Sequence, residues 1–249
     1  MRKNIVFLGS KKIGYECLYY LITNKEDLNI EVSGVLTNPK RDAGIIELTK
    51  KHQIPLISSL NEYLNLQHVD IAISIQYHKI LKKKHLQKAK EITINLHMAP
   101  LPEYRGSNQF SFAILNKDEF FGTTIHRMEE GADTGAIMFE KRFNIPEGIW
   151  VEELFKLTYR YSIDLFKENI NKIIEGNYTL TPQREYTNRR TSLHYKNEIQ
   201  QLKNINLSLD EDEIKRYIRA TYMPGFEPPY TKIGDKKMYF IPENEYNKQ

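Results

Sequence analysis

The hydrophobic positions of this chain alternate between two rhythms. Residues 4–8, NIVFL, form a short apolar run closed by Gly9, and the KKIGYECLYYLITN that follows places Ile13, Cys17, Leu18, Leu21 and Ile22 at helical spacing. This predicts strand, turn, helix. The pattern returns in EVSGVLT (31–37), a helical AGIIELTKKH (43–52), a short strand PLI (55–57), a helix near 60–65 and DIAISI (70–75). Such alternation predicts an α/β fold: a Rossmann-like, mostly parallel sheet flanked by helices on both faces, with ligands at the carboxyl ends of the strands.

Beyond residue 75, QYHKILKKKHLQKAK reads as a loop leading into a basic helix, and ITIN (92–95) as the next strand. GTTIHRM and AIMFEKRFNI read as two further strands joined by the loop EEGADTG (129–135). A helix is expected from 151 to about 175, with Leu154, Phe155, Tyr161, Leu165, Ile170, Ile173 and Ile174 on one face and Gly176 as its stop. Composition then shifts. Residues 177–208 are polar and irregular, a short helix starts after the capping residue Asp210, and MPGFEPPY leads to a hairpin across Gly234-Asp235. The reading divides the chain into a catalytic domain (1–176) and a small C-terminal α+β region (177–249).

Composition narrows the function classes. The 249 residues, 40% hydrophobic and 27% charged, suit one soluble domain with a small appendage. No apolar run is long enough to span a bilayer, and MRKNIVFLGS is too short for a secretory signal, so a cytoplasmic location and no membrane partner are expected. The single Cys17 excludes an internal disulfide and, among apolar neighbours, reads as a buried structural thiol. The net charge of +4 is dispersed. It suits a small anionic substrate better than nucleic acid, and its densest run, Lys82-Lys83-Lys84, reads as a solvated helix face.

The candidate chemistry is concentrated in two loops. FLGSKKIG lacks the glycine spacing of a dinucleotide fingerprint, and no Walker, HExxH or GxSxG motif is present. His78, His85, His97 and His126 do not fall at metal-ligand spacing, so no metal is expected, and each alone reads as a surface or hydrogen-bonded histidine. Asn95 and His97 stand apart. They lie two apart at a strand end and so project to one side, ahead of a loop stiffened by Pro100 and Pro102. GADTG adds Asp133 between Gly131 and Gly135. The trio suits acyl transfer to an amine: Asn holds a developing oxyanion, His takes a proton, and Asp fixes the imidazole. Spacing alone favours a structural polar cluster over this chemistry and leaves both open.

NLHMAPLPEYRG combined with GTTIHRMEEGADTGAIM resembles, over residues 1 to about 175, the formyltransferase family that uses N10-formyltetrahydrofolate. Family members often carry Pro and Ser where this chain has Met98 and Ala99. The resemblance implies Asn95, His97 and Asp133 as the catalytic set and N10-formyltetrahydrofolate as formyl donor. It implies a pterin pocket between Gln76, Tyr77, His78, Lys79 and Ile80 on one side and Glu130, Gly131, Ala132 and Thr134 on the other. Met98, Arg105 and Gly106 would lie beside the acceptor amine.

The tail, YTNRRTSLHYKNEIQ and then IRATYMPGFEPPYTKIGDKKMYF, is similar to that of the sugar-nucleotide N-formyltransferases. This implies a nucleotide-linked amino sugar as partner, foremost dTDP-4-amino-4,6-dideoxyglucose for O-antigen or other surface polysaccharide, and a homodimer through the C-terminal region. Tyr222, Phe226 and Tyr230 offer flat faces to a pyrimidine, and Lys79, Arg189 or Arg190 a charge to a pyrophosphate, against packing and solvation as competing roles. The rival readings are a methionyl-tRNA formyltransferase-like enzyme and a non-catalytic folate-binding protein.

Overall fold

In the computed structural model, which describes residues 2–243, strand β1 (Lys3–Gly9) sends Ile5 and Phe7 to one face of a sheet and Val6 and Leu8 to the other. All four are fully buried, which is why the run is continuously apolar. The ends of the two regions expected from sequence, residue 1 and residues 244–249, lie outside the described residues.

The elements that follow are α1 (Lys11–Thr23), β2 (Ile30–Leu36), α2 (Ala43–Lys51), α3 (Leu60–Asn65), β3 (Ile71–Ile75), α4 (Lys83–Leu86) and β4 (Ile92–His97). The next are β5 (Arg105–Gly106), α5 (Gln109–Leu115), β6 (Phe120–Arg127), β7 (Ile137–Asn144) and the long α6 (Val151–Glu175). The main sheet has the order β2-β1-β3-β4-β6-β7: the first four strands run parallel, and β6 and β7 are antiparallel to their neighbours. Helices α1 and α6 cover one face, while Tyr63 of α3 and Leu81 fill the core on the other. Helix α6 ends where Gly176 takes a φ of 76°.

Three local expectations change. PLI forms only an isolated parallel bridge from Leu56 to Val35, at the exposed edge of β2. The basic helix shrinks to the four residues of α4, whose His85 is buried and accepts the Lys82 backbone N–H through Nδ1. Helix α5 had no counterpart in the sequence reading.

The polar stretch 177–208 is ordered by contacts with the rest of the chain. It holds a 3-10 turn (Gln183–Glu185), β8 (Leu193–His194), which pairs parallel with β5, and α7 (Glu198–Leu202). Helix α8 (Glu211–Thr221) starts as expected at Asp210, whose carboxylate accepts the Glu213 N–H at 2.8 Å. A hairpin of β9 (Tyr230–Ile233) and β10 (Lys236–Tyr239) turns at Gly234, φ 59°.

Candidate active site

Strand β4 alternates as its residues require. Ile94 and Leu96 enter the core shared with α1 and α6, while Asn95 and His97 project from the other face at the carboxyl end. His97 is almost fully buried. Its Nε2 lies 2.7 Å from the Tyr104 carbonyl, an obligate acceptor, so Nε2 carries a proton and donates it. Nδ1 then faces Asp133 Oδ2 at 3.6 Å.

Asp133 sits in the loop between β6 and β7, with a left-handed φ of 52°. Its Oδ2 accepts the Gly106 N–H at 3.0 Å, and its Oδ1 lies 3.5 Å from His126 Nε2. Burial opposes its ionisation, but the charge of His97, the hydrogen bond and charge of His126 and the Gly106 amide together hold the carboxyl well below the usual carboxylate range. Asp133 is therefore a carboxylate at any working pH.

His126 is the member that sequence reasoning passed over. It is buried, directly opposite Asn95 in the antiparallel register of β4 and β6. Its Nδ1 lies 2.8 Å from the Arg127 carbonyl and must donate, so Nε2 is the nitrogen that faces both the Asn95 amide nitrogen, at 3.2 Å, and Asp133 Oδ1, at 3.5 Å: unprotonated it accepts from Asn95, and protonated it donates to Asp133. In the unprotonated form one Asn95 N–H is tied down and the other left for a ligand. The available signal was a histidine alternating with the apolar Ile125 on a buried strand, since a buried imidazole needs partners.

The supporting shell is made of hydroxyls and a charged cluster. Thr123 donates to the His97 carbonyl at 3.0 Å, Thr124 to the Ala99 carbonyl at 2.8 Å, and Ser162 of α6 to Thr123 at 2.8 Å. Tyr104, whose carbonyl locks His97, is fully buried, and its hydroxyl bonds Asp118, Asn116 and Arg190.

The remaining residues expected at the site distribute unevenly. Met98 packs into the core and is only 2% exposed, so its side chain faces away from the pocket. Arg189 is spent on Glu140 and the Leu101 carbonyl, and Arg190 on Asp118 and the Tyr104 ring. Both tie the C-terminal segment to the loop after β4, at Leu101 and Tyr104. Arg105 is different: among the described residues its Nε is buried with no hydrogen-bond partner. Gln76, Tyr77, His78, Lys79 and Ile80 form the loop after β3, with Gln76 left-handed and Ile80 90% exposed. Glu130, Gly131, Ala132 and Thr134 flank Asp133, and the Thr134 hydroxyl donates to the Glu130 carbonyl. Tyr222 caps α8 edge-on to Trp150, Phe226 is exposed in the turn beyond, and Tyr230 is buried beneath Lys237.

In the FLGSKKIG turn the main-chain amide at the amino end of α1 is already taken by a carboxylate, unlike that of a dinucleotide-binding turn. The Asp42 carboxylate occupies the amino end of α1, accepting the Lys11 N–H at 2.9 Å, and also accepts the Thr37 hydroxyl and the Asn38 N–H. Cys17 is buried, which pushes its thiol well up, as a structural thiol requires.

Residues 56–159 match the family described as Formyl transferase. A GDP-perosamine N-formyltransferase of Brucella melitensis is 32% identical over 173 residues, covering 70% of this chain, and the chain spans 64% of that relative's length. A methionyl-tRNA formyltransferase of Clostridioides difficile is 29% identical over 93% of this chain and 77% of its own length. Among solved structures, an N-formyltransferase of Helicobacter canadensis, in complex with folinic acid and dTDP-3-aminofucose, superimposes with a TM-score of 0.76 at 25% identity, covering 95% of this chain and 86% of its own.

Proposed function

We propose, given that this chain belongs to the formyl transferase family, that it transfers the formyl group of N10-formyltetrahydrofolate to the amine of a nucleotide-linked amino sugar. The observation that carries the reading is the pairing of His97 Nδ1 with the Asp133 carboxylate beside an Asn95 amide that keeps one N–H free.

The donor, when bound, supplies a formyl carbon activated by its bond to nitrogen. For its flat pterin we propose the loop after β3, where Ile80 presents an exposed apolar side chain and Tyr77 a half-buried ring, together with the Glu130–Thr134 loop around Asp133. The free Asn95 N–H faces the negative charge that develops on the carbonyl oxygen. His97 Nδ1 takes the proton released as the acceptor nitrogen forms its new bond, and can return it to the nitrogen that leaves. Asp133, already ionised, balances the imidazolium at that moment.

A phosphate-bearing acceptor is favoured by four cations that follow the strand ends: Lys11 after β1, Arg41 after β2, Lys79 after β3 and Lys196 on the C-terminal segment beside Asn108. Lys11 Nζ donates to Gln76 Oε1 at 2.8 Å. Partial burial lowers its pKa, Asp42 works against that, and the charges of Lys196 and Arg41 lower it further, so Lys11 stands in the repulsive field of both. Among the described residues none of the four forms an ion pair. Arg105 adds an unpartnered Nε. Mutually repelling cations are relieved by a compact dianion such as a diphosphate.

The acceptor we propose is dTDP-4-amino-4,6-dideoxyglucose, its formamido product serving O-antigen or other surface-polysaccharide synthesis. GDP-perosamine, from the name of the Brucella relative, and dTDP-3-aminofucose, held by the Helicobacter neighbour, are the rivals. We further propose a cytoplasmic homodimer joined through the C-terminal hairpin, where Ile233, Met238 and Tyr239 are exposed. No helix among the described residues is long and apolar enough to cross a membrane.

Mass spectrometry of the protein with N10-formyltetrahydrofolate and each sugar nucleotide tests the reading. A formyl mass gain on one of them supports it and identifies the carrier. Formylation of initiator methionyl-tRNA with no gain on any sugar replaces it with the tRNA activity, and donor binding without transfer reduces it to a folate-binding protein.

A further inference from the structure

The loop that carries Asp133 is held by a residue fifty positions away in the chain. At the start of β7, Ile137 exchanges both backbone hydrogen bonds with Thr181, each at 2.9 Å, which docks the segment following α6 against the loop. Two residues on, Gln183 points its amide nitrogen into the loop's main chain. Nε2 donates to the Asp133 carbonyl at 2.6 Å and to the Gly135 carbonyl at 2.9 Å, so both of its hydrogens go to carbonyls two residues apart.

Those carbonyls bracket a conformation that needs support. Asp133 lies at φ 52°, a region that residues other than glycine seldom adopt. Gly135 is hemmed in, because a Cβ there would come within 1.7 Å of the Arg127 carbonyl oxygen. The side chain of Asp133 must meanwhile reach His97, His126 and the Gly106 N–H together. A small rotation of the loop would break all three.

We infer that Gln183 is a positioning residue for the formyl transfer proposed above: by clamping the main chain at Asp133 and Gly135 it fixes the carboxylate against His97. The C-terminal segment, on this view, completes the catalytic geometry as well as meeting the acceptor. The inference rests on the formyl-transfer reading for its effect on turnover, but the clamp itself has a readout independent of activity. The Gly106 amide has the Asp133 carboxylate as its acceptor, so its hydrogen exchange reports where that carboxylate stands.

The experiment measures Gly106 exchange and kcat in the wild type, Gln183→Ala and Gln183→Glu. In Gln183→Ala the Gly106 amide should exchange at least about tenfold faster while amides of β1 and β3 keep their rates, and kcat should fall about 10- to 100-fold, the usual cost of a misplaced catalytic group. Gln183→Glu puts a carboxylate against two carbonyls. Its defect should ease as pH is lowered, because the protonated acid regains one O–H donor. Unchanged Gly106 exchange in Gln183→Ala overturns the inference. A uniform rise across all amides also overturns it, since that marks a general structural role. A wild type that transfers no formyl group defeats the functional reading instead, and the Gly106 result still decides the clamp.

Discussion

His97 faces Asp133 through Nδ1 alone, because Nε2, 2.7 Å from the Tyr104 carbonyl, is already committed as a donor. The ring therefore has one nitrogen free to exchange a proton, and that nitrogen lies beside a permanent negative charge. The Tyr104 carbonyl is held in turn by the Tyr104 N–H bond to the Pro100 carbonyl and by the buried ring. Loop, tautomer and base are thus one device.

Replacing that base should remove turnover without removing the donor. For His97→Asn we expect kcat to fall about 1,000-fold, within the range general-base loss produces, with the dissociation constant for the formyl donor changed less than about threefold. Steady-state kinetics alongside titration calorimetry check both. Near-normal rates would assign the proton transfer to another group.

Asp133 gives a prediction on pH. Its pKa is depressed on folding, so its contribution to stability is fully present above the unfolded carboxyl value, about 3.9, and is lost as pH falls from there toward the folded value. At pH 7 Asp133→Asn should be less stable than wild type by about 1–2 kcal/mol, the scale of charge-assisted bonds. The urea midpoints of the two should converge below about pH 4. A gap that stays constant from pH 7 to pH 3 would show that the carboxylate charge is not what the fold uses.

His126 should act through Asn95. With His126→Phe the Asn95 amide loses the acceptor that orients it, and its second N–H no longer points reliably at the substrate. We expect kcat to fall about tenfold, less than for loss of the oxyanion donor itself, with KM for both substrates nearly unchanged. Asn95→Ala in the His126→Phe background should then cost less than in the wild type, a non-additivity that a double-mutant cycle measures directly.

Much of this site was legible because period-two geometry is local. Asn95 and His97 share a side wherever a strand holds them, and GADTG names its aspartate by the glycines around it. The partnership with His126 was not legible, since it depends on the antiparallel register of β4 and β6, set by the intervening loop and helix. Helix α5 is short and follows Asn108 in the left-handed region, so neither spacing nor cap announced it. Arg189 and Arg190 looked free for phosphate only because Glu140 and Asp118, their carboxylate partners, are far away in sequence. The PLI segment has strand-like residues, but at the sheet edge it makes a single bridge.

The unpaired cations yield the prediction that bears most on the acceptor. Lys11 and Lys196 repel each other in the free protein, one just beyond the end of β1 and the other on the segment held by Asn108. If a diphosphate relieves that repulsion, Lys11→Ala and Lys196→Ala should each raise KM for the sugar nucleotide, by about 10-fold for one lost charge-assisted contact of roughly 1.4 kcal/mol. The kcat should stay close to wild type in both, since neither lysine touches His97, Asn95 or Asp133, and the donor KM should stay so in Lys196→Ala, whereas Lys11 also bonds Gln76 of the loop after β3. The same variants should flatten the dependence of acceptor KM on ionic strength, because fewer fixed charges remain to be screened. Inorganic pyrophosphate, competing with the acceptor in the wild type, should lose potency in both. An equal rise in the donor KM would instead assign these cations to the carboxylates of the folate tail and leave the diphosphate to Arg105.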